Sequence, residues 1–480
     1  MKILIVTAFP TEGAGSGALI TTQAESYIKN GHEVEIITAN NRTNFKKIPG
    51  VTYCLVPFTK EGDDPEIIEG QLPFNYFMFT THTESTANFW NATNEEVELY
   101  CNKFREIIGR EVKRFKPDII HGQHNWITTN ICSEFGLPVV VTVHGTDLMG
   151  YQRSLGEIEQ IKAEMADNPS AERKAELQKA LKKYEFYVDS AKKSAHNSLS
   201  AIVISEHQKE LFQGLFPEEK DKAILIKNGY NPEKFHVMDS VDKDALFDSL
   251  VTNATPDGKL PKEYDKLVLF VGKFADFKGI DVMLDAAKIY EEQGKAKGMD
   301  IMTIIVGSGA LDEPLRKQAK ELNLQNTHFV GRKGPDVICP LQNLSDVSLI
   351  PSRNEPFGLV VIEGTACGHP VIGTNAGGIP DIMNITGKII KKEPYTEKDA
   401  EDDSILKPVE GTDSTYKTPL GFLVPMEDAE SLANATMRIL EGKDTFDNKE
   451  IAEYTLNTYS QDVITKGLID LFQNAIDSYK

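Results

Sequence analysis

The sequence predicts an α/β protein made of two consecutive domains, each a doubly wound parallel sheet. Three observations predict it. The chain has 480 residues, too many for one ordinary core at about 100–200 residues per domain. Short apolar runs alternate with amphipathic stretches, the pattern of strands joined in parallel through helical crossovers. That alternation stops at a charged segment, residues 238–262, and then begins again.

In the first series, residues 3–7 read as a strand, followed by a glycine-rich turn. Residues 18–30 read as a helix, which Gly31 ends by allowing positive φ. Residues 33–38 form the next strand, and after Pro117 come 119–122 and 139–143. Strands 201–204 and 223–227 continue the series. The second series opens with strand 267–271 and helix 280–293. Strand 302–306 and helix 313–322 follow, then strands 328–330, 347–350 and 370–373. Two segments read as insertions. Residues 153–197, rich in Lys, Glu, Ala and Leu and broken at Asn168-Pro169, suggest a solvated helical hairpin. Residues 388–419, with Glu401-Asp402-Asp403, suggest an acidic surface loop. Residues 454–479 place Ile464, Leu468, Leu471, Phe472, Ala475 and Ile476 at helical spacing and read as one final helix.

Composition narrows the function. A net charge of −20 is a poor match to duplex DNA, so no nucleic-acid partner is expected. The five cysteines form no Cys-x-x-Cys motif, which speaks against a zinc framework and for a reducing, cytoplasmic setting. No apolar run is long enough to span a bilayer. Residues 1–8 run straight into a Pro-Thr-Glu-Gly turn and read as a buried strand, not a leader. Lys103, Arg105, Arg110, Lys113, Arg114 and Lys116 line one stretch of expected helix. With so acidic a chain, that stripe is read as a solvated face and not as a peripheral membrane contact.

Candidate chemistry gathers at strand ends, where doubly wound sheets bind ligands. Gly13-Ala-Gly15-Ser-Gly17 lies between the first strand and its helix, where bare backbone can approach a phosphate or sugar. His144-Gly145-Thr146-Asp147 ends the fourth strand. In the second domain, Lys273 and Lys278 follow a strand end beside Gly272 and Gly279, a clamp for a diphosphate. Gly307 ends another strand. The densest pattern runs from Pro351 to Gly364. A helix starting near Gly358 would free the amides of Phe357, Gly358 and Leu359 for an anion. Glu355 before it and Glu363 within it could each grip a pair of hydroxyls, one on a sugar and one on a ribose. The only Asp-x-Asp, Asp242-Lys243-Asp244, falls in the charged segment and reads as surface charge.

These residues resemble the retaining nucleotide-sugar glycosyltransferases of family 4. The Glu-x7-Glu signature appears as Glu355 and Glu363, the Gly-Arg…Lys-Gly element as Gly272-Lys273…Lys278-Gly279, and the His-Gly as His144-Gly145. Asn228-Gly229-Tyr230-Asn231 resembles the turn before the family's hinge. Lys stands at 273 where the family usually has Arg, and Gly15-Ser16-Gly17 replaces a Gly-Gly.

The resemblance implies a GT-B fold, two Rossmann-like domains facing across a cleft. Residues 1–237 with 456–480 would form the acceptor domain, 238–262 the linker and 263–455 the nucleotide-sugar domain. It implies transfer of a hexosyl unit from a nucleoside-diphosphate sugar, UDP-sugar favoured, to a hydroxyl acceptor, with no essential metal or other cofactor. His144, Lys278 and Glu355 would serve catalysis. Gly17, Lys273, Lys278, Gly307, Arg332, Glu355, Phe357, Gly358, Leu359 and Glu363 would bind the donor.

Overall fold

The computed structural model describes residues 1–12, 15–61, 66–80, 85–250, 260–391, 395–396, 399 and 402–479. Gly13 of the first glycine turn, part of the 238–262 segment, and Glu401 with several neighbours in 388–419 lie outside them. The chain divides into two compact units, Met1–Gly229 with Gln461–Lys480, and Tyr230–Ser460.

Unit 1 is built on β1 (Lys2–Thr7), β2 (Glu33–Asn40), β3 (Thr52–Pro57), β4 (Ile119–Gln123), β5 (Val139–Thr142), β6 (Ser200–Val203) and β7 (Ala223–Leu225). All pair in parallel in the order β3-β2-β1-β4-β5-β6-β7. The order reverses between β1 and β4, so the loops leaving β1, β4 and β5 meet at the switch point. β1 and β5 are apolar from residue 3 to 6 and from 139 to 141 because both faces of the sheet are covered.

The helices of unit 1 are α1 (Gly15–Lys29), α2 (Asn94–Phe115), α3 (Ile127–Cys132), α4 (Thr146–Ala166), α5 (Ala171–Asn197) and α6 (Glu206–Leu215). The expected hairpin is α4 and α5, broken at Asn168-Pro169, but it begins earlier and is not merely solvated. Tyr187 of α5 is fully buried among Phe89, Trp126 and Tyr184, and its hydroxyl donates to the Phe89 carbonyl at 2.7 Å. The basic stripe on α2 is largely matched by acids of unit 1. Arg105 forks onto Glu134, Arg110 meets Glu111, Arg114 meets Glu111 and the buried Glu35, and Lys103 meets Glu106.

Unit 2 repeats the plan with β8 (Lys266–Val271), β9 (Ile301–Val306), β10 (Thr327–Gly331), β11 (Val347–Ile350), β12 (Val371–Thr374), β13 (Tyr416–Thr418) and β14 (Gly421–Val424). Their order is β10-β9-β8-β11-β12-β14-β13, parallel except for the edge hairpin β13–β14. Its helices are α7 (Lys243–Leu250), α8 (Ile280–Ala296), α9 (Asp312–Glu321), α10 (Pro335–Leu344), α11 (Leu359–Ala366), α12 (Ile379–Met383), α13 (Ala429–Leu440) and α14 (Asn448–Tyr459).

Two expectations are corrected. The 238–262 segment is not only a linker: it holds α7, whose Phe247 and Leu250 are buried, with Phe247 stacked on Tyr264. Its Asp-Lys-Asp starts that helix, with Asp242 Oδ1 accepting from the Ala245 amide at 3.0 Å. The final helix is two, because Ser460 takes extended backbone between α14 and α15 (Gln461–Tyr479). The chain changes units at that break. There the Tyr230 amide donates to the Tyr459 carbonyl at 3.0 Å.

α15 covers one face of the unit 1 sheet. Ile464, Leu468, Phe472 and Ala475 pack with Ile3, Ile5, Ile119 and Val140, and the Phe472 ring meets Tyr27 and His121 edge-on. Phe472→Ala is expected to cost unit 1 about 3–5 kcal/mol, the usual penalty for emptying a buried aromatic site. Hydrogen exchange of the β1 and β4 amides checks this; unchanged protection there would refute it.

Candidate active site

In unit 2 three strand-end loops converge. The loop after β8 carries Lys273, then a turn of 3-10 helix (Asp276–Lys278) that ends at Gly279. Gly279 has φ of 62°, and a Cβ there would lie 2.0 Å from the Pro351 carbonyl oxygen at the end of β11. Only glycine lets these two backbones touch. The loop after β11 carries Glu355 to the start of α11. Gly358 caps that helix with φ of 111°, and the amides of Phe357, Gly358 and Leu359 donate to no other described residue. The turn after β12 supports this loop from below, where the Gly378 amide donates to the Glu355 carbonyl at 2.8 Å.

This packing makes an ion pair of Lys278 Nζ with Glu355 Oε2, with 16% and 12% of the two side chains exposed, so solvent screens it little. Glu363, one helical turn into α11, is partly buried and bonds no other described residue. Burial pushes its carboxyl up to about 8, against the pull of the Lys278 charge. Lys273 is half-buried, and burial lowers its pKa. Lys278, Glu355, Glu363 and the start of α11 are thus brought together.

Other expected residues fall differently. The Phe357 ring is buried against Tyr459, so only its backbone faces the loop. Gly307 is bare because the Gly272 carbonyl oxygen would sit 1.8 Å from a Cβ. Arg332 is exposed after the edge strand β10 and contacts neither Lys278 nor the two glutamates. In unit 1, Gly17 admits the backbone of Pro10 and Thr11, each of which would lie 2.9 Å from a Cβ, inside van der Waals contact.

Sequence reading missed Arg353. Its guanidinium forks onto the Asp281 carboxylate at 2.9 and 2.6 Å, donates to the Asp276 carbonyl at 2.6 Å, and pairs with Glu427. It ties the loops after β8, β11 and β14 together. An arginine inside the densest motif was the available signal. Unit 1 places His144 at the end of β5, its ring buried and 4.4 Å from that of His124. The backbone of His144 is fixed by Asp147, whose carboxylate accepts from the amides of Asn125, His144 and Leu148. Among the described residues no group of three or more His, Cys, Asp or Glu is placed to hold a metal ion, and no helix is long and apolar enough to cross a membrane. The five cysteines are free and buried.

Two Rossmann-like sheets, each with loops gathered at the carboxyl ends of its strands, are the architecture of the GT-B fold. A family model described as Glycosyltransferase Family 4 matches residues 13–234, and one described as Glycosyl transferases group 1 matches residues 253–403. An uncharacterized glycosyltransferase of Methanocaldococcus jannaschii is 27% identical over 391 residues, 80% of this chain and 83% of that protein. The N-acetyl-alpha-D-glucosaminyl L-malate synthase of Bacillus anthracis is 25% identical over 401 residues, 80% of this chain and 81% of its own. The sucrose-phosphate synthase of Thermosynechococcus elongatus shares the fold, with a TM-score of 0.65, 18% identity and 100% of both chains covered. The chain belongs to the family 4 glycosyltransferases, and transfers a glycosyl unit from a nucleotide sugar.

The Glu363 carboxyl sets a pH dependence. Its folded value of about 8 exceeds the ordinary 4.5. Between those values the folded state holds more protons than the unfolded state, so stability falls as pH rises through that window. Melting the ligand-free protein from pH 5 to 9 should show Glu363→Gln gaining on wild type as pH rises. Parallel curves would refute the buried, proton-holding carboxyl.

Proposed function

We propose that the protein is a retaining, metal-independent hexosyltransferase of the cytoplasm. Its donor is a nucleoside-diphosphate sugar, UDP-sugar favoured, and its acceptor is a hydroxyl on a small molecule or saccharide. One observation carries this reading: Lys278 paired with Glu355, and Glu363 without a partner among the described residues, beside the amides that open α11. Glu363 would take the ribose hydroxyls. Lys273, Lys278 and the amides of Gly358 and Leu359 would take the diphosphate, filling the role a metal plays in other transferases. Glu355 would hold hydroxyls of the donor sugar, and His144 its 6-position. Phe357 contributes its amide, and Gly307, Gly17 and Arg332 border the donor. The Bacillus anthracis relative, whose name joins an N-acetyl-glucosaminyl unit to L-malate, supports a small acceptor.

In the transfer, the bond from the sugar carbon to the phosphate oxygen breaks while the acceptor oxygen bonds that carbon from the same face. The acceptor's proton passes to the departing phosphate. Negative charge grows on that phosphate, so the Lys278 ammonium should bind the transition state more tightly than the ground state.

A thermal-shift screen of UDP-, GDP- and ADP-sugars identifies the donor, since a ligand raises stability as RT ln(1 + [L]/Kd). With that donor, Lys278→Ala should lower kcat by about 10²–10³ and change KM less. A kcat within about threefold of wild type would remove Lys278 from the mechanism. Turnover should also persist in excess EDTA; complete loss restored by magnesium would overturn metal independence.

A further inference from the structure

His144 is held by more than its backbone. Gln123 ends β4 two residues after His121, so the two side chains share one face of the sheet. Gln123 Oε1 lies 2.8 Å from His144 Nε2. An amide oxygen only accepts, so with the Gln123 amide in this orientation the proton between the two atoms belongs to His144 Nε2. The other end of the amide lies 3.2 and 3.3 Å from Nε2 and Nδ1 of His121, whose Nε2 is 2.7 Å from Thr142 Oγ1. All four residues are buried. Burial also pushes the imidazoles down, His144 to about 4 and His121 to about 3, with His124 well below its ordinary value. A neutral imidazole has one N–H, and His144 gives its own to Gln123. Nδ1 of His144 bonds no other described residue.

We propose that Gln123 is a positioning residue that fixes His144 as the Nε2–H tautomer, making the ring a hydrogen-bond acceptor toward its ligand. The inference rests on the reading of His144 as a ligand-binding residue. The group that meets Nδ1 must then donate a proton. A sugar hydroxyl does so; an ionised carboxylate or phosphate oxygen does not. The titratable groups of unit 1 facing His144 are His121 and His124 from β4 and its loop and Asp147 from α4. The Asp147 oxygens are bonded to backbone amides, so Gln123 alone among these contacts assigns the ring proton.

Two substitutions and one spectrum test this. Gln123→Glu keeps an acceptor at Nε2 and adds a charge that stabilises the imidazolium. The acid limb of kcat/KM should move up by about 1–2 pH units relative to wild type, the size expected from an opposite charge in contact. Asp147 titrates in both proteins, so the comparison isolates the ring. Gln123→Met offers no acceptor; donor KM should rise about tenfold with little movement of the pH profile. In the unsubstituted protein, histidine 15N shifts should show His144 protonated at Nε2 at neutral pH. A Glu variant whose profile overlays wild type, a Met variant with wild-type KM, or a proton on Nδ1 would each overturn the proposal. The spectrum needs neither a variant nor turnover, so failure of this inference and failure of the transferase reading are distinguishable.

Discussion

Backbone running against backbone is the constraint on which unit 2 depends. The carbonyl of Pro351 occupies the space of a side chain at Gly279, and that of Glu355 does the same at Gly377, where a Cβ would lie 2.2 Å away. These contacts fix the loops after β8, β11 and β12 to one another before any side chain is considered. Lys278 precedes one of those glycines, and Glu355 supplies one of those carbonyls. Their ion pair is therefore a product of main-chain packing. Arg353 adds a second layer, bonding outward to Asp276, Asp281 and Glu427. Preorganised charges of this kind need little rearrangement when a phosphate charge develops nearby.

The two groups of strand-end loops use titratable residues in opposite ways. Unit 2 keeps Lys278 beside Glu355, where each partner compensates the other's lost hydration. Unit 1 buries imidazoles with no carboxylate contact on the rings, and they stay neutral. Neutrality makes each such ring a donor on one nitrogen and an acceptor on the other.

Most of the fold was legible because buried parallel strands are continuous apolar runs, as at Leu267 to Val271 and Val139 to Val141. β3 was not, since an edge strand with Thr52, Tyr53 and Leu55 partly or fully exposed carries no such run. Residues 58–93 gave no period at all, yet Phe58, Tyr76, Phe77, Phe79 and Phe89 are buried in the core; long-range packing decides their place. The break at Ser460 has neither Gly nor Pro to mark it. In the site, Glu355, Glu363 and Lys278 were readable from spacing beside strand ends. Gln123 and Asp147 were not assigned roles, because what they do is set by contacts to other strand ends, which spacing along one element does not reveal.

Unit 1 is assembled from the first 229 residues and the last 20, with all of unit 2 synthesised between them. On a ribosome adding about 5–20 residues per second, α15 emerges on the order of ten to fifty seconds after β7. Through that interval the sheet face of Ile3, Ile5, Ile119 and Val140 has no cover from Phe472 and Leu468. Until then α1, through Ile20, Ala24 and Tyr27, packs on that face, so the nascent chain carries part of an apolar surface that its own later residues are built to cover.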